Sequence, residues 1–171
     1  MARRSPLPAF DRVRALILDF DGVLTDNTVT VTSEGVESVT CWRGDGIGTA
    51  AVQAAGIPVI VLSKERDPVV GVRCHKLRLP FHQGVDDKLP RLLEILADLG
   101  VDAECAAYLG NDVNDLQCLK HVGLPIVVAD AHPDTFAAAA YVTRAGGGRG
   151  AVREVCDLIL ASRGTGAGMT A

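Results

Sequence analysis

Two aspartates, Asp19 and Asp21, are separated by one residue and directly follow the apolar run 15–18. Two carboxylates at this spacing, just past a strand, point to roughly the same side. One can attack phosphorus and form an acyl phosphate, while the other protonates the leaving oxygen and later activates water. Gly22 permits a tight turn that would direct backbone amides at a phosphate. The pair indicates covalent phosphoryl transfer, although such pairs are also common in turns.

Attack of one anion on another needs a cation, and the sequence offers oxygen ligands for one. Mg²⁺ prefers hard oxygen ligands and often takes one or two carboxylates together with phosphate. Asp112 follows a later apolar run and is the candidate further ligand, with Asp115 beside it to orient it or a water. The same two aspartates would also suit a helix N-cap and first turn. The sequence therefore predicts a Mg²⁺ site and leaves this structural alternative open.

Two further residues could bind the phosphate. Ser63 ends an apolar run and offers a hydroxyl and neighbouring amides. Lys88 begins a clear helix, where the helix dipole mildly disfavours a cation, so a function is expected for it. Its ammonium could pair with Asp19 and with the phosphate. Taken singly, Ser63 would also fit a residue that leads into a helix, and Lys88 a surface lysine.

Short apolar runs alternate with helical patterns along the chain, which is typical of a doubly wound, mostly parallel α/β sheet with a Rossmann-like order. Strands are predicted at 15–18, 58–62, 106–109, 125–128 and 141–143. Helices are predicted at 46–55, from 67 onward, and at 88–99, 114–122, 133–139 and 151–161. Alternation around a Ser33-Glu34-Gly35 turn predicts a β-hairpin insertion over 28–41.

Ligands bind beyond the carboxyl ends of the strands of a parallel α/β sheet. Four polar clusters fall there: Asp19 to Gly22, Ser63 to Glu65, Asp86 to Lys88 and Gly110 to Asp112.

The composition bounds the class of protein. With 171 residues, 48% hydrophobic and 4% aromatic, the chain fits one domain, predicted at 11–161. The N-terminal extension 1–10 has no apolar run and is not expected to be a signal peptide, and 162–171 is expected to be a flexible tail. A net charge of −4 and the lack of any membrane-length apolar stretch argue against nucleic-acid and membrane partners. Five widely spaced cysteines predict reduced thiols in a cytoplasmic protein, and the scattered histidines do not suggest zinc.

Together these motifs resemble the haloacid dehalogenase superfamily, over residues 13–161. The matching segments are LILDFDGVLTD at 16–26, VIVLS at 59–63, Lys88, and YLGNDVND at 108–115. The resemblance implies that Asp19 is the nucleophile and Asp21 the acid and base. It also implies that Ser63 and Lys88 bind the phosphate, and we predict that Gly22 and Lys64 bind it beside them. Mg²⁺ would be held by Asp19, the Asp21 backbone carbonyl and Asp112, since Asn111 stands where many members carry an acid.

The spacing of these motifs leaves no room for a cap domain. Lids in this superfamily are inserted after the first motif or between the second and third. Here the first interval holds only the hairpin and one helix, and the second holds one helix and a short strand. An open site favours an oligomer whose neighbouring subunits cover the site, with the hairpin 29–41 as the candidate assembly surface. Resemblance to the capless branch of the superfamily implies that the oligomer is a homotetramer. The alternative is a self-contained hairpin on a monomer.

The segment 128–160 resembles the capless, tetrameric branch of the superfamily that hydrolyses sugar-acid phosphates. Eight-carbon enzymes of that branch, which act on 3-deoxy-D-manno-octulosonate 8-phosphate, usually carry a Gly-Arg pair after the second motif. This chain has Lys64-Glu65 instead, and Glu65 with Lys76 matches the pair associated with nine-carbon keto acid 9-phosphates such as sialic acid 9-phosphate. We therefore predict a nine-carbon substrate, with the eight-carbon acid as the alternative. Glu65 and Lys76 could instead be a solvated pair.

The glycine-rich stretch 146–148 is followed by two arginines that could bind the carboxylate of such a substrate. Arg149 and Arg153 are suited to that bidentate task, in the same subunit or a neighbouring one.

Two other classes of protein share some of these features. A signalling receiver domain also combines aspartates, a hydroxyl, a lysine and Mg²⁺, but its phosphorylated aspartate ends a middle strand, and here that strand ends at Ser63. A non-catalytic assembly domain, associated with an acylneuraminate cytidylyltransferase, would be marked by loss of Asp19 or Asp21. Both aspartates are present, which favours the enzyme. Mg²⁺-dependent release of phosphate separates the three classes.

Overall fold

A six-stranded, fully parallel sheet forms the centre of the computed structural model, which describes residues 8–164. Its strands lie in the order β5-β4-β1-β6-β7-β8. Their bounds are β1 Ala15–Leu18, β4 Val59–Leu62, β5 Phe81–His82, β6 Ala106–Gly110, β7 Leu124–Val127 and β8 Tyr141–Val142. The predicted α/β class is confirmed. A parallel sheet covered by helices needs strands that are apolar on both faces, and every residue of β1, β4 and β6 is buried.

The register of the central strands sets the position of the polar residues that follow them. Leu18, the last residue of β1, lies opposite Val61 of β4 and Leu109 of β6. The amide of Asp19 continues this pairing by donating to the Leu109 carbonyl at 3.0 Å. All three strands therefore end at one edge of the sheet, where the residues after them meet.

Five α-helices connect or flank the strands. They are α1 Arg43–Ala54, α2 Val69–Leu77, α3 Lys88–Leu99, α4 Leu116–Leu119 and α5 Ala151–Ser162. Helix α3 has the predicted bounds, and Gly100 ends it in the left-handed conformation, as expected for a glycine C-cap. Helix α1 begins three residues before the predicted start. The carboxylate of Asp67 caps α2 by accepting a 2.8 Å bond from the Val69 amide.

The helix predicted over 114–122 is shorter than expected. A 3₁₀ turn, Val113–Asp115, precedes the single turn α4. Asp112 and Asp115 form a capping box, in which each side chain bonds the backbone at the other end of the turn. The box tightens the first turn, so the segment starts as 3₁₀ rather than α-helix. Further 3₁₀ turns lie at Phe10–Arg12, Ala103–Cys105 and Pro133–Ala138.

The predicted hairpin is present and projects from the sheet. Its strands are β2 Thr30–Val31 and β3 Glu37–Ser38, which pair antiparallel. Three of its valines, Val29, Val31 and Val36, are more than half exposed. Only this hairpin and α1 separate β1 from β4, and only α2 and β5 separate β4 from α3. Within residues 8–164, neither of these intervals holds a cap domain.

Both ends of the described chain pack onto the core. Phe10 is buried, and its ring meets Tyr141 edge-on at 5.4 Å. The guanidinium of Arg163 donates to the carbonyl of Val13. The rest of the predicted extension 1–10 and tail 162–171 lies mostly outside the described residues. Across residues 8–164, the helices are all too short or too polar to cross a bilayer.

Candidate active site

Asp19 lies at the bottom of a polar cavity beyond β1 and is only 4% exposed. Its Oδ1 accepts a 2.7 Å bond from the Phe20 amide and lies 2.8 Å from the Nζ of Lys88. Lys88 is the first residue of α3 and is itself buried. Both contacts fall on the same oxygen, which fixes the plane of the carboxylate and leaves Oδ2 outside these two bonds. The predicted pairing of Lys88 with Asp19 is present.

Asp115 holds Lys88 from the other side. Its Oδ1 accepts from Lys88 Nζ at 2.8 Å and from the hydroxyl of Tyr108 at 2.7 Å. Its Oδ2 accepts from the amides of Asn111 and Asp112 at 2.9 and 3.2 Å. The carboxylate is fully buried, and these four donors occupy both oxygens. Asp115 therefore orients Lys88 and the loop 111–112, and it is not free to bind a metal.

Burial is the largest single influence on the pKa values of these groups. It raises the pKa of Asp19 to about 7, helped by the negative charge of Asp115 and opposed by Lys88. Burial alone would lower the pKa of Lys88, but the two carboxylates outweigh it and the pKa is raised. Burial, followed by the charge of Glu65, also raises the pKa of Asp21. A carboxyl group with a raised pKa stays protonated to higher pH, so a larger fraction of it has a proton to donate near neutral pH.

The cavity has a volume of ≈ 120 Å³ and brings together most of the predicted residues. Asp19, Ser63 and Asn111 are buried at its bottom, whereas Asn27, Lys64 and Asn114 are exposed at its rim. The full lining comprises Asp19, Asp21, Asn27, Ser63, Lys64, Glu65, Asn111, Asp112 and Asn114. The residues that follow β1, β4 and β6 thus meet at one place, as the parallel topology requires.

Ser63 continues β4 into the cavity, and its backbone is paired with the neighbouring strand. Its amide donates to the His82 carbonyl at 2.8 Å. Its hydroxyl oxygen accepts from the Glu65 amide at 3.0 Å, which leaves the hydroxyl hydrogen available to a ligand. The Glu65 carboxylate accepts from the amides of Arg66 and Asp67 at 2.6 and 2.8 Å. Glu65 is therefore held at the cavity by its own turn.

The donor set fits a hard cation. Oδ1 of Asn111 is buried and has no hydrogen-bond partner, although Asn111 lines the cavity. Buried polar atoms normally have partners. An unpaired oxygen beside Asp19, Asp21 and Asp112 therefore indicates that a bound group supplies its partner. Among residues 8–164, no three His, Cys, Asp or Glu side chains form a metal site on their own. A cation here would add carbonyl, amide or water ligands, as Mg²⁺ normally does.

The predicted tight turn at Gly22 is present, but its amide has a partner other than the predicted phosphate. Its amide donates to the Thr25 hydroxyl at 3.1 Å and is not directed at the cavity. Its φ is +77°, and a Cβ at this position would lie 1.9 Å from Nδ2 of Asn111. Gly22 is therefore required for the backbone turn and for the close approach of the 111–112 loop.

Three predicted substrate contacts do not reach this cavity within one chain. Lys76 is exposed on α2 and borders a separate groove, so it forms no pair with Glu65. Arg149 is exposed, and its guanidinium lies 3.7 Å from the Asp26 carboxylate. Arg153, on α5, pairs with Asp157 at 2.8 Å. Sequence spacing placed them in the right region, but it does not determine which side of a helix or loop faces the site.

The glycine-rich loop 146–148 packs directly on the loop that follows β1. The amide of Gly148 donates to the Val23 carbonyl at 2.9 Å. A Cβ at Gly147 would lie 1.9 Å from the carbonyl oxygen of Gly22. Asp130 holds the other side by accepting from the Gly147 amide at 2.9 Å. This loop is therefore a support for the Asp19–Asp21 segment.

Three contributors to the site were not predicted from the sequence: Tyr108, Asn27 and Asn114. Asn27 and Asn114 line the rim of the cavity, and Tyr108 lies beneath it. A signal was available for Tyr108, because a tyrosine within an otherwise aliphatic buried strand needs a partner for its hydroxyl.

Comparison with known proteins gives one consistent result. Residues 81–152 match the family model described as haloacid dehalogenase-like hydrolase. The 3-deoxy-D-manno-octulosonate 8-phosphate phosphatase KdsC of Escherichia coli (strain K12) is 39% identical over 155 residues, which cover 90% of this chain and 82% of that protein.

Solved structures agree with this match. The 3-deoxy-D-manno-octulosonate 8-phosphate phosphatase of Yersinia pestis superposes with a TM-score of 0.90 at 39% identity, over 94% of this chain and 88% of the other. The corresponding enzyme of Moraxella catarrhalis, solved with magnesium, phosphate and KDO, has a TM-score of 0.89 at 33% identity, over 92% and 91% of the two chains.

Proposed function

The chain belongs to the haloacid dehalogenase-like hydrolases, and on that premise we propose that it is a Mg²⁺-dependent phosphatase acting on a sugar-acid phosphate monoester. The observation that carries the proposal is the arrangement of Asp19, which is oriented by Lys88 and shares one cavity with Asp21. A nucleophilic carboxylate, a buried cation and a second carboxyl with a raised pKa are the groups that phosphoryl transfer through an aspartyl phosphate needs.

In the first step, a carboxylate oxygen of Asp19 forms a bond to phosphorus as the ester P–O bond breaks. Asp21 donates its proton to the departing alkoxide, which leaves as the free sugar acid. Ser63 and Lys64 lie along the cavity wall, where a hydroxyl hydrogen and an ammonium would bind the phosphoryl oxygens. Lys88 remains on Oδ1 of Asp19 and keeps the carboxylate oriented for attack.

In the second step, Asp21 accepts a proton from water, whose oxygen forms a bond to phosphorus. The acyl phosphate bond breaks, so inorganic phosphate leaves and the Asp19 carboxylate is restored. Asp19, the backbone carbonyl of Asp21 and Asp112 would hold Mg²⁺, with Oδ1 of Asn111 beside them. When bound, Mg²⁺ supplies the positive charge that allows a carboxylate to approach a phosphate.

For the substrate, the relatives favour the eight-carbon acid, because the Escherichia coli and Yersinia pestis proteins are named for 3-deoxy-D-manno-octulosonate 8-phosphate. We propose it as the first substrate to test. The nine-carbon 9-phosphate remains the second candidate, supported by Lys64-Glu65 in place of the usual Gly-Arg pair and by the position of Glu65 in the cavity wall. Lys76 gives this candidate no support within a single chain.

We further propose that four copies assemble through their hairpins and that neighbouring subunits cover each active site. Exposed valines on the hairpin are matched by an apolar groove of ≈ 860 Å³ between α1 and α2, with Ile47 and Val72 exposed in its wall. The hairpin carries Glu34 and Glu37. The groove carries Arg43, Arg73 and Lys76, so the charges are complementary. Assembly would also supply the cover that a chain without a cap domain lacks.

The proposal is tested by measuring phosphate release from the full chain with three esters: the eight-carbon 8-phosphate, a nine-carbon 9-phosphate and a plain hexose 6-phosphate. Each is assayed with Mg²⁺ and again with a chelator. We expect turnover of a sugar-acid phosphate that stops without Mg²⁺. Preference for the hexose phosphate would overturn the substrate class, whereas no turnover of any ester would favour the non-catalytic assembly domain.

A further inference from the structure

Asn27 has an unusual backbone conformation beside the proposed catalytic residues. Its φ is +63°, a left-handed value that glycine adopts freely and other residues adopt at a cost. Only Arg78 shares this property among the non-glycine residues of the described chain, and Arg78 simply ends α2. Asparagine adopts this conformation more readily than most side chains do, and unlike glycine it adds a polar group at this position.

The backbone of Asn27 is fixed to the catalytic loop. Its amide donates to the Thr25 hydroxyl oxygen at 3.3 Å, and the same oxygen accepts from the Gly22 amide at 3.1 Å. Thr25 is fully buried. The Cγ of Asn27 lies 3.2 Å from where a Cβ on Gly22 would stand. Asn27 is therefore held at a fixed distance from Asp21 by a short, buried connection.

The side-chain amide of Asn27 lines the rim of the cavity and is exposed. The cavity bottom is formed by buried Asp19, Ser63 and Asn111, which is where a phosphoryl group would lie. The remainder of a phosphate ester must then pass the rim, on the side of the residue that protonates the leaving oxygen. An amide offers both a donor and an acceptor there, which suits the hydroxyl and carboxylate oxygens of a sugar acid.

From this geometry we propose that Asn27 is a substrate-binding residue that hydrogen-bonds the hydroxyl or carboxylate groups of the leaving alcohol and selects polyhydroxy acids over other esters. The inference rests on the proposed phosphatase function and deepens it. It assigns to position 27 a direct contact with the leaving group, in contrast to the phosphoryl contacts assigned to Ser63 and Lys64.

Two variants test the contact. Asn27→Gly keeps the left-handed backbone and removes the amide. Asn27→Asp keeps the shape and the tolerance for positive φ but replaces the donor with a negative charge. The kcat/KM of each is measured for 3-deoxy-D-manno-octulosonate 8-phosphate and for p-nitrophenyl phosphate, whose leaving group offers no hydroxyl chain. Circular dichroism and the melting temperature confirm that each variant is folded.

We expect kcat/KM for 3-deoxy-D-manno-octulosonate 8-phosphate, divided by kcat/KM for p-nitrophenyl phosphate, to fall by about tenfold in Asn27→Gly. This is the loss expected for one hydrogen bond to substrate. The fall should be larger in Asn27→Asp, and it should come mainly from KM for the sugar acid. An unchanged ratio in a folded Asn27→Gly would overturn the inference and assign Asn27 to the backbone turn alone. Failure of the wild-type chain to hydrolyse either ester would instead refute the proposed function.

Discussion

The hydroxyl of Tyr108 donates a 2.7 Å hydrogen bond to Oδ1 of Asp115, the same oxygen that accepts from Lys88. Tyr108 touches none of the cavity, yet it fixes one end of a buried chain of contacts that reaches Asp19 through Lys88. The orientation of the proposed nucleophile therefore depends on a residue three contacts away from it.

Replacing Tyr108 by Phe should lower both stability and turnover. Asp115 would lose one of its four donors, at a cost of about 1–2 kcal/mol in the free energy of unfolding. Lys88 would be held less firmly, and we expect kcat to fall about tenfold. Urea unfolding and steady-state kinetics measure the two effects.

Tyr141→Phe is the matched control, because its hydroxyl also donates to a carboxylate, Glu154, at 2.7 Å, but away from the cavity. It should lose stability without an equal loss of kcat. Equal effects on kcat in both variants would contradict the connection between Tyr108 and the site.

Replacing Asp19 by Asn should remove turnover while preserving the fold. The amide is nearly isosteric with the carboxyl group but is a poor nucleophile, so we expect phosphate release to fall by at least about a thousandfold. Phosphate release and circular dichroism on the same preparation are the measurements. A folded variant that retained wild-type activity would exclude the covalent route.

Replacing Lys88 by Ala should destabilise the protein strongly. Removal of the ammonium leaves the buried carboxylates of Asp19 and Asp115 without their shared partner, at a cost of about 3 kcal/mol. The comparison variant is Arg66→Ala, which breaks an exposed pair with Asp86 and should cost about 0.5 kcal/mol or less. Urea denaturation of both variants gives the two values, and similar losses would contradict this ranking.

The stability of the fold should depend on pH through Asp45. This carboxylate is buried between α1 and α5, where Oδ1 accepts from the Arg153 amide at 3.0 Å and Oδ2 has no partner. Burial raises its pKa from 3.8 to about 6. Between these values the folded state binds a proton that the unfolded state does not, so stability falls as pH rises through this window.

The contribution of Asp45 amounts to at most about 3 kcal/mol, the product of the pKa shift and the energy per unit. Asp45→Asn removes the titration. The free energy of unfolding of wild type minus that of Asp45→Asn should therefore decrease from about pH 4 to about pH 7 and then level off. A difference that stayed constant with pH would show that Asp45 titrates normally.

Replacing Val31 by Lys on the exposed hairpin should break the proposed assembly. A positive charge on this apolar surface opposes burial, and it would also face the basic residues in the groove of a second copy. Size-exclusion chromatography with light scattering should show four copies for wild type and fewer for the variant. Leu93→Lys places the same charge on exposed α3 and should leave the mass unchanged. A wild-type monomer would contradict the assembly.

The sequence was sufficient to predict the sheet and the meeting point of the polar clusters. Alternating strands and helices force a parallel sheet, and parallel strands end at one edge, so Asp19, Ser63 and Asp112 had to converge. The contact of Lys88 with Asp19 followed from its place at the start of α3. These predictions depend only on topology.

Other features depend on side-chain direction, which spacing alone does not determine. The enclosure of Asp115 depends on the 3₁₀ turn before α4, which differs from the predicted helix. Lys76 faces away because of the rotation of α2 about its axis. The amide of Gly22 donates to the hydroxyl of Thr25 and so is not available to a phosphate. The spacing of the residues does not predict this local hydrogen bond.

The contact between the glycines at 147 and 148 and the loop after Asp19 joins two segments that lie far apart along the chain. A ribosome must therefore synthesise the chain as far as residue 148 before its first motif acquires its final support. Nascent chains that end before residue 148 would contain Asp19 without the glycine-rich loop that supports its segment. Truncation upstream of this loop should yield a protein that is inert, however well its central strands have paired.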